Sequence, residues 1–551
     1  MEKQSPVSAS RHSFSRHHPS RHQAWNGAIA FLIALGIVFR ISNLAQPVYW
    51  VDEVATSMRV SGYTQAEVTE QVATGLPISV AELQRFQSIR PSAEGTPANR
   101  PFANLMRVLA QSPEHAPLYF ILARVWAEIF GGSVAAMRSL SVLFGLLGLP
   151  AMYGLGKTFT TKATAKMATA LLAISPFFVA YSQEARPYSL WILLLLLTTQ
   201  LLWRSLQSNH WRWWLGYSVC LALALYTSLL TVLVVLGQGL AVLIWHRRQV
   251  GRYVIASAIA LLTLLPWAIV VVTQWQRLQS NTVWMQMYTP VWATLGTWFY
   301  SLAVLFFDVP VAERPVIFGL QVVTATATIT LIAFATYVFI RRMPRQLWGF
   351  VLTTACSIPG ILLLIDLLRS GQAAATPRYL MPTHLVALFV VAYLLSDHLS
   401  LQVSKQSSLT RRWQLVTALL VSVCLISCLI TQPSPYLKSR NLSNADLTEL
   451  LNEVRSPHII TTPHYIQDLI SLSYDLEPDI TFYVLPSETA SPNVLLTDIL
   501  SEANATFLFA PSEKARQTVE DSQLINLTQI YQPPPLISGT FALTLWRIES
   551  L

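Results

Sequence analysis

Two adjacent carboxylates, Asp52 and Glu53, directly follow the first apolar segment of this 551-residue sequence. A carboxylate at such a place can act as a general base that takes the proton from an acceptor hydroxyl. It can equally lie in a solvated loop at the edge of a membrane. The pair is chemically informative only if other functional side chains converge on it.

Three further segments, SPEHAPLY, YSQEARPY and ATPRYLMP, carry side chains of complementary chemistry. They contribute Glu114 and His115, then Gln183, Glu184, Arg186 and Tyr188, and finally Arg378 and Tyr379. Arginine can neutralise a departing phosphate, and a carboxylate with a histidine can hold a metal ion. Together the set predicts transfer from a lipid phosphate, although each arginine alone could merely pair with a neighbouring acid such as Glu184.

The composition identifies the kind of protein that positions these residues. Only 12% of the residues are charged and 53% are hydrophobic, whereas a soluble domain carries roughly 25% charged residues. The sequence therefore predicts a polytopic α-helical membrane protein. Its net charge of +9 is interpreted as a topology signal rather than as nucleic-acid binding, and no nucleotide-binding glycine motif is present.

Apolar runs of a length that can cross a bilayer predict eleven transmembrane helices. They lie at 25–42, 136–155, 166–182, 188–204, 213–227, 229–245, 253–273, 316–340, 347–368, 379–396 and 414–431.

The distribution of Lys and Arg orients these helices. With the N-terminus in the cytoplasm, every predicted inside loop is basic, as the positive-inside rule requires. This holds only if the apolar stretches 114–130 and 291–307 lie in the outer interface without crossing. All four candidate segments then lie at the outer face of the membrane, and so does the C-terminus.

Three regions follow from this topology. Residues 1–24 are predicted to be a disordered cytoplasmic tail, and residues 25–431 a transmembrane catalytic domain. The first outer loop, 43–135, is predicted to bear interfacial helices and a variable excursion at 75–112. Short β-like runs alternate with polar helical segments in 432–551, which predicts a small soluble α/β domain at the outer face.

The ordered motifs resemble a known family. VDE after the first span, PEHAPLY, RSLSVLFGLLGL, SPFFVAYSQEARPYSL and PRYLMP are similar to the membrane glycosyltransferases of the GT-C superfamily. The resemblance is to bacterial family 39 proteins, which are relatives of the dolichyl-phosphate-mannose-protein mannosyltransferases and the lipid A aminoarabinose transferases. It is densest over residues 25–205.

The resemblance implies an inverting transfer of a hexose or pentose from a polyprenyl-phosphate carrier to a lipid, glycan or protein acceptor. It implies a bacterial inner membrane, with the chemistry and the C-terminal domain on the periplasmic side. Asp52 matches the family's catalytic aspartate, the general base, and Glu53, its neighbour in the same motif, is expected to be catalytic as well. Arg186, Arg378 and Tyr379 would bind the donor phosphate.

The same resemblance implies roles for the remaining candidates. Gln183, Glu184 and Tyr188 would bind substrate, and Glu114 matches a position that some relatives use for a divalent metal, with His115 beside it. The cation that a phosphate needs near Asp52 could be an arginine or this metal.

Two other classes of function stay open from the sequence. A lipid carrier or flippase would place ionisable residues near the bilayer midplane, whereas the predicted spans are almost free of charge. A nonenzymatic scaffold for envelope polysaccharide assembly could keep the fold without the chemistry.

Overall fold

The computed structural model describes residues 21–89, 100–208, 210–308, 315–400, 408–432, 443–487, 505–520, 525–533 and 543–550. Most of the predicted tail 1–24 lies outside these residues, and the first helix begins at Arg21. The N-terminal part of the chain forms helices α1 (Arg21–Ile41), α2 (Val51–Ser61), α3 (Gln65–Val72), α4 (Val80–Gln84), α5 (Phe102–Ala110) and α6 (Leu118–Phe130).

The central part is entirely helical within the described residues. It comprises α7 (Val134–Phe159), α8 (Lys162–Ile174), α9 (Pro176–Ser182), α10 (Tyr188–Ser208), α11 (Trp211–Leu225), α12 (Thr231–Trp245), α13 (Val250–Thr263), α14 (Leu265–Thr273), α15 (Trp275–Asn281), α16 (Val291–Ala303), α17 (Pro315–Arg342), α18 (Arg345–Arg369), α19 (Met381–Ser400) and α20 (Ser408–Thr431).

Six of the described helices are individually long and apolar enough to cross a membrane, and eight spans result if each bent pair counts as one. The bent pairs are α8 with α9, which meet at 62°, and α13 with α14, which meet at 56°. A proline stands at the start of the second helix in each pair and interrupts the backbone ladder there. A helix or bent pair occupies each of the eleven predicted segments, but several are short, so the count of eleven stays a prediction.

The two stretches expected at the outer interface form α6 and α16, each of 13 residues. At 1.5 Å per residue such a helix is about 20 Å long, less than the roughly 30 Å thickness of the hydrocarbon core. Since α11 and α12, which are predicted to cross, are only two residues longer, length does not distinguish the two kinds of helix, and the alternation of the basic loops stays a prediction.

Arg40, an arginine inside the first apolar helix, is explained by the break between α8 and α9. Its guanidinium is buried and donates to the carbonyl oxygens of Ala173 and, at 2.8 Å, Leu172. These carbonyls end α8 and lack a partner within the helix. Arg40 therefore stabilises the bend that turns α9 toward the YSQEARPY loop.

The C-terminal part forms a mixed sheet with flanking helices. Its elements are α21 (Ser443–Asn452), α22 (Ile466–Ser473), α23 (Glu513–Glu520), β2 (His458–Thr461), β3 (Thr481–Val484), β4 (Thr506–Phe509), β5 (Ile525–Tyr531) and β6 (Leu545–Ser550). A further strand, β1 (Pro77–Ser79), joins the sheet. The strand order is β1-β3-β2-β4-β6-β5, in which β2 runs parallel to β3 and β4 and the other pairs are antiparallel.

The edge strand β1 (Pro77–Ser79) comes from the first outer loop, a placement that the sequence did not predict. Ile78 lies opposite Phe482 in the antiparallel pair β1–β3. The start of the predicted excursion 75–112 is therefore part of the sheet. The boundary of the soluble domain at 432 stays a prediction, because residues 433–442 lie outside the described part of the chain.

The sheet is attached to the start of α2 through α22. The Ser471 hydroxyl donates to the Tyr49 carbonyl at 2.7 Å, and the rings of Tyr49 and Tyr474 meet edge to face at 5.0 Å. The Gln84 amide donates to the Ser473 carbonyl at 2.8 Å. These contacts hold the sheet over the helix that carries Asp52.

Candidate active site

A cavity of about 1080 Å³ lies where the loop 43–135 meets the ends of the membrane helices that were predicted to face outward. Seven of the ten candidate residues line it, namely Asp52, Glu114, His115, Arg186, Tyr188, Arg378 and Tyr379. Four segments that are far apart in the sequence thus contribute to one site.

Asp52 lies in the first turn of α2, where the positive end of the helix dipole favours a carboxylate. Its Oδ2 atom is 3.5 Å from Arg186 Nη2 and 3.4 Å from Arg378 Nη1. The side chain of Asp52 is 27% exposed. The carboxylate is therefore flanked by two cations and open to the cavity.

Arg186 is tied to α2 by hydrogen bonds as well as by charge. Its Nη1 donates to the Asp52 carbonyl and to Thr56 Oγ1, each at 3.1 Å. Burial lowers the pKa of Arg186, but the charge of Asp52 and the hydroxyl of Tyr188 outweigh it and raise the pKa. The buried Nε of Arg186 has no hydrogen-bond partner in the described part of the chain. Arg186 is therefore fixed against α2 beside Asp52.

Arg378 follows a loop that is held in place by buried polar contacts. Asp366, near the end of α18, accepts hydrogen bonds from the backbone N–H groups of Ala373 and Ala374 at 3.1 and 2.6 Å. The Gln372 amide donates to the Trp284 carbonyl at 2.6 Å. The Arg378 guanidinium lies 5.6 Å from the ring centre of Trp284, so the loop fixes both the cation and the aromatic ring beside it.

Glu53 points away from the cavity into the protein. It is fully buried and forms a two-pronged ion pair with Arg138, at 2.8 Å from Nε and 2.6 Å from Nη2. It also accepts a hydrogen bond from the Ala185 backbone N–H at 2.7 Å. Arg138 donates in addition to the carbonyls of Leu44, Pro47 and Val48 at 2.8 to 2.9 Å. Glu53 thus joins α7, the start of the first loop and the YSQEARPY loop.

Gln183 and Glu184, two of the residues expected to bind substrate, do not line the cavity. The buried Gln183 amide donates to the carbonyls of Phe39 and Ser42 at 2.8 and 2.9 Å. Glu184 is fully buried. The Gln183 amide binds carbonyls at the end of α1 that have no partner within the helix. The positions of Gln183 and Glu184 therefore favour structural roles for both residues.

Glu114 and His115 line the cavity but do not fit a divalent metal site. Glu114 accepts two hydrogen bonds from the Asn281 amide at 3.1 Å, and its Oε1 is 3.6 Å from His115 Nε2. Nowhere among the described residues do three His, Cys, Asp or Glu side chains come together. Burial lowers the pKa of His115 well below its usual value, with smaller contributions from Arg59, Arg186 and Arg378. Two donors surrounded by cations are a poor metal ligand set.

Sequence reasoning missed Arg59, Arg277 and Trp284, which also line the cavity. Arg59 could have been found, because positions 52, 55, 56 and 59 follow the spacing of one helical face. Burial, together with repulsion from Arg186, lowers the pKa of Arg59 to about 10. Arg277 and Trp284 carry no such signal, since only the fold brings them to the site.

Comparisons with known proteins agree with this architecture. Residues 114–275 match the family model of dolichyl-phosphate-mannose-protein mannosyltransferase. No curated protein matches the sequence. ArnT from Cupriavidus metallidurans in the apo state is similar in fold, with a TM-score of 0.54, 11% identity, and coverage of 95% of this chain and 98% of that chain.

The same ArnT bound to undecaprenyl phosphate has a TM-score of 0.50 at 11% identity and the same coverage of 95% and 98%. The archaeal oligosaccharyltransferase AglB from Archaeoglobus fulgidus, in complex with an inhibitory peptide and a dolichol-phosphate, has a TM-score of 0.45 at 10% identity, covering 88% of this chain and 70% of that chain. The resemblance to GT-C glycosyltransferases is confirmed. The family match includes Arg186 but ends before Arg378 and begins after Asp52.

Proposed function

We propose that this chain, which has the fold of the GT-C glycosyltransferases, transfers a sugar from a polyprenyl-phosphate donor to an acceptor on the outer side of a bacterial inner membrane. The observation that carries the proposal is the position of Asp52, which opens into the cavity between Arg186 and Arg378. A base next to two phosphate-binding groups is the arrangement that glycosyl transfer from a lipid phosphate needs.

In the proposed reaction Asp52 accepts the proton of the acceptor hydroxyl. The hydroxyl oxygen forms a bond to the anomeric carbon while the bond from that carbon to the phosphate oxygen breaks. The configuration at the anomeric carbon inverts because the hydroxyl attacks one face of the sugar while the phosphate leaves from the opposite face. The products are the glycosylated acceptor and polyprenyl phosphate, whose added negative charge the arginines stabilise.

The two arginines have different proposed roles. Arg186 is hydrogen-bonded to the backbone and side chain of α2, so it stays in place and orients Asp52. Arg378 Nη1 lies 3.4 Å from Asp52 Oδ2, and Arg378 is carried by the loop after α18 rather than bonded to α2. We therefore assign the donor phosphate chiefly to Arg378, together with the hydroxyl of Tyr379.

Glu53 acts through its neighbours in this proposal. Its ion pair with Arg138 and its bond to Ala185 N hold α2 and the YSQEARPY loop in register. It is a positioning residue, because its carboxylate does not reach the cavity. The positive charge beside Asp52 comes from Arg186 and Arg378.

The apolar side of the cavity suits the carrier. Leu229, Leu230 and Leu362 line it at the outer ends of the membrane helices, where a polyprenyl chain could leave the site for the bilayer. A nucleotide sugar would present no such chain and would be found on the cytoplasmic side.

The test is a donor assay on the purified protein in lipid, with a panel of polyprenyl-phosphate sugars and water as the default acceptor. We expect the wild type to release polyprenyl phosphate from one of these donors and Asp52→Asn to release none. An Asp52→Asn variant that cleaves at the wild-type rate would remove Asp52 as the base. Failure of the wild type with every donor would favour a carrier or a scaffold.

A further inference from the structure

The outer wall of the cavity is built by two elements that the proposed chemistry does not use, α3 and α22. From α3 the cavity is lined by Gln65, Ala66, Thr69 and Glu70, which the helical period places on one face. The opposite face of α3 is apolar, and its Val68 and Val72 are buried. From α22 the cavity is lined by Gln467.

The short helix α3 is held by a dense set of polar contacts. Thr64 and Glu67 form a reciprocal capping box at its start, with bonds of 2.9 and 3.1 Å. Glu67 also pairs with Arg100 at 3.1 Å and with Arg107 at 2.7 Å. An eight-residue helix is marginal by itself. These contacts therefore keep its polar face in a fixed orientation toward the cavity.

The helix that carries Gln467 is also fixed in position. It lies one helical turn before Ser471, whose hydroxyl is bonded to the Tyr49 carbonyl at 2.7 Å. The Asn444 amide donates to the same hydroxyl at 3.0 Å. Residues four apart share a helix face, so the sheet domain presents the Gln467 amide close to the start of α2.

The two parts of this wall lie at different distances from the reacting centre. Gln467 is near the start of α2, whereas α3 begins beyond its far end. At 1.5 Å per residue, the nine steps from Asp52 to Ser61 span about 14 Å. An acceptor of one sugar unit bound at Asp52 would not reach α3, but an elongated acceptor would.

The chemistry of the wall indicates what such an acceptor carries. Amide and hydroxyl side chains both donate and accept hydrogen bonds, which matches a chain of sugar hydroxyls. Among the residues of α3 and α22 that line the cavity, Glu70 is the only charged one. Its carboxylate would repel a phosphorylated acceptor. We infer that α3 and Gln467 form an acceptor subsite for a neutral oligosaccharide. This inference rests on the proposed function.

The experiment compares acceptors in the presence of the donor that the wild type cleaves. The probes are neutral oligosaccharides of one to six units, a phosphorylated monosaccharide and a serine-containing peptide. Transfer is measured beside hydrolysis of the donor by water, which needs Asp52 but not the subsite. The variants are Gln467→Ala and the double variant Thr69→Ala with Glu70→Gln.

Gln71→Ala is the matched control. Gln71 lies on α3 but does not line the cavity, and its exposed side chain accepts a hydrogen bond from Arg85 at 3.2 Å.

We expect transfer to improve with oligosaccharide length. Each test variant should raise the oligosaccharide KM by about five-fold, the effect of one lost hydrogen bond. Donor hydrolysis and the control should match the wild type.

Several results would overturn the subsite. The first is that saccharides of one and six units are glycosylated at the same rate, or that none is glycosylated. The second is that the peptide or the phosphorylated sugar is the better acceptor. The third is that the test variants have the same KM as Gln71→Ala. Each of these, with donor hydrolysis intact, leaves the proposed function standing. Loss of donor hydrolysis in the wild type would instead remove the proposed function itself.

Discussion

The two neighbouring carboxylates Asp52 and Glu53 are bound by arginines in opposite ways. Asp52 is 27% exposed and contacts Arg186 and Arg378 at 3.5 and 3.4 Å. Glu53 and Arg138 are both fully buried, and their closest atoms are 2.6 Å apart. Successive residues of a helix point about 100° apart. One carboxylate therefore faces the cavity and the other faces the protein interior.

This difference in distance and burial implies two roles. The ion pairs of Asp52 can exchange partners, whereas the ion pair of Glu53 stabilises the fold. The contacts of Asp52 are 3.5 and 3.4 Å long and its side chain is 27% exposed to the cavity, so a substrate phosphate can compete with the carboxylate for the two arginines. Breaking a buried pair leaves an uncompensated charge and costs about 3–5 kcal/mol. The Asp52 cluster is thus suited to chemistry, and the Glu53 cluster to positioning.

The sharpest test of this contrast is to neutralise each carboxylate in turn. Asp52→Asn should lower the transfer rate by roughly 10²–10⁴-fold, the contribution of a general base, with no loss of thermal stability. Glu53→Gln should lower the free energy of unfolding by about 3–5 kcal/mol. Rate and melting temperature are measured for both variants in the same lipid.

The double variant Glu53→Gln with Arg138→Met provides the control for the second effect. Removing both charges should recover part of the stability that Glu53→Gln loses. A Glu53→Gln protein that is as stable as the wild type but inactive would reverse the two assignments.

The arginines beside Asp52 offer the next largest difference. Arg378→Ala should raise the KM for the donor by roughly ten- to a hundred-fold, as expected for a lost charged hydrogen bond, and should change the acceptor KM little. Arg186→Ala should chiefly lower kcat, because Arg186 is bonded to α2 and orients the base. Steady-state kinetics with each substrate varied would decide. A donor KM that Arg378→Ala leaves unchanged would mark Arg378 as structural.

A smaller effect is expected where the loop before Arg378 packs tightly. A Cβ atom at Gly371 would lie 2.7 Å from both the Met285 carbonyl oxygen and Asp366 Oδ1. Gly371→Ala should therefore displace the loop and raise the donor KM by about five-fold. Gly360→Ala on α18 is the control, since nothing lies within 4 Å of its added Cβ. Equal kinetics for the two variants would show that the loop does not position Arg378.

The smallest effect is expected from metal removal and from pH near neutrality. EDTA should leave the transfer rate unchanged if arginines supply all of the positive charge. His115 has a lowered pKa, so it is neutral at pH 7 and gains a proton only when the pH falls through that lowered value. His115→Gln should therefore leave the shape of the rate profile between about pH 6 and 8 unchanged. A rate that EDTA abolishes and Mg²⁺ or Mn²⁺ restores would contradict the arginine assignment.

Much of the architecture followed from residue patterns along the chain. Apolar length located the membrane helices, because a hydrocarbon core demands about 20 apolar residues per crossing. The basic loops then placed VDE, SPEHAPLY, YSQEARPY and PRYLMP at one face, and these segments do meet in one cavity. The shared face predicted that these segments could meet, and the packing of the long loop 43–135 against the helix ends brings them together.

Side-chain direction within those segments did not follow from the sequence. Gln183 and Glu184 stand beside Arg186 in one short loop, yet only Arg186 reaches the cavity. The Gln183 amide instead donates to a carbonyl at the end of α1, more than a hundred residues earlier in the chain. The pairing of β1 with β3 likewise joins residues about 400 positions apart, and no local pattern specifies it.

The sequence by itself therefore determined that this is a multi-pass membrane protein, and it predicted that the candidate residues share one face of the helix bundle. Those properties depend on composition and on periods of a few residues. The tertiary structure alone decided which carboxylate opens into the cavity, which arginine is pinned and which can meet a phosphate, and how the sheet domain closes the outer wall. Each of these depends on contacts between distant segments, and the packing of the whole chain fixes them.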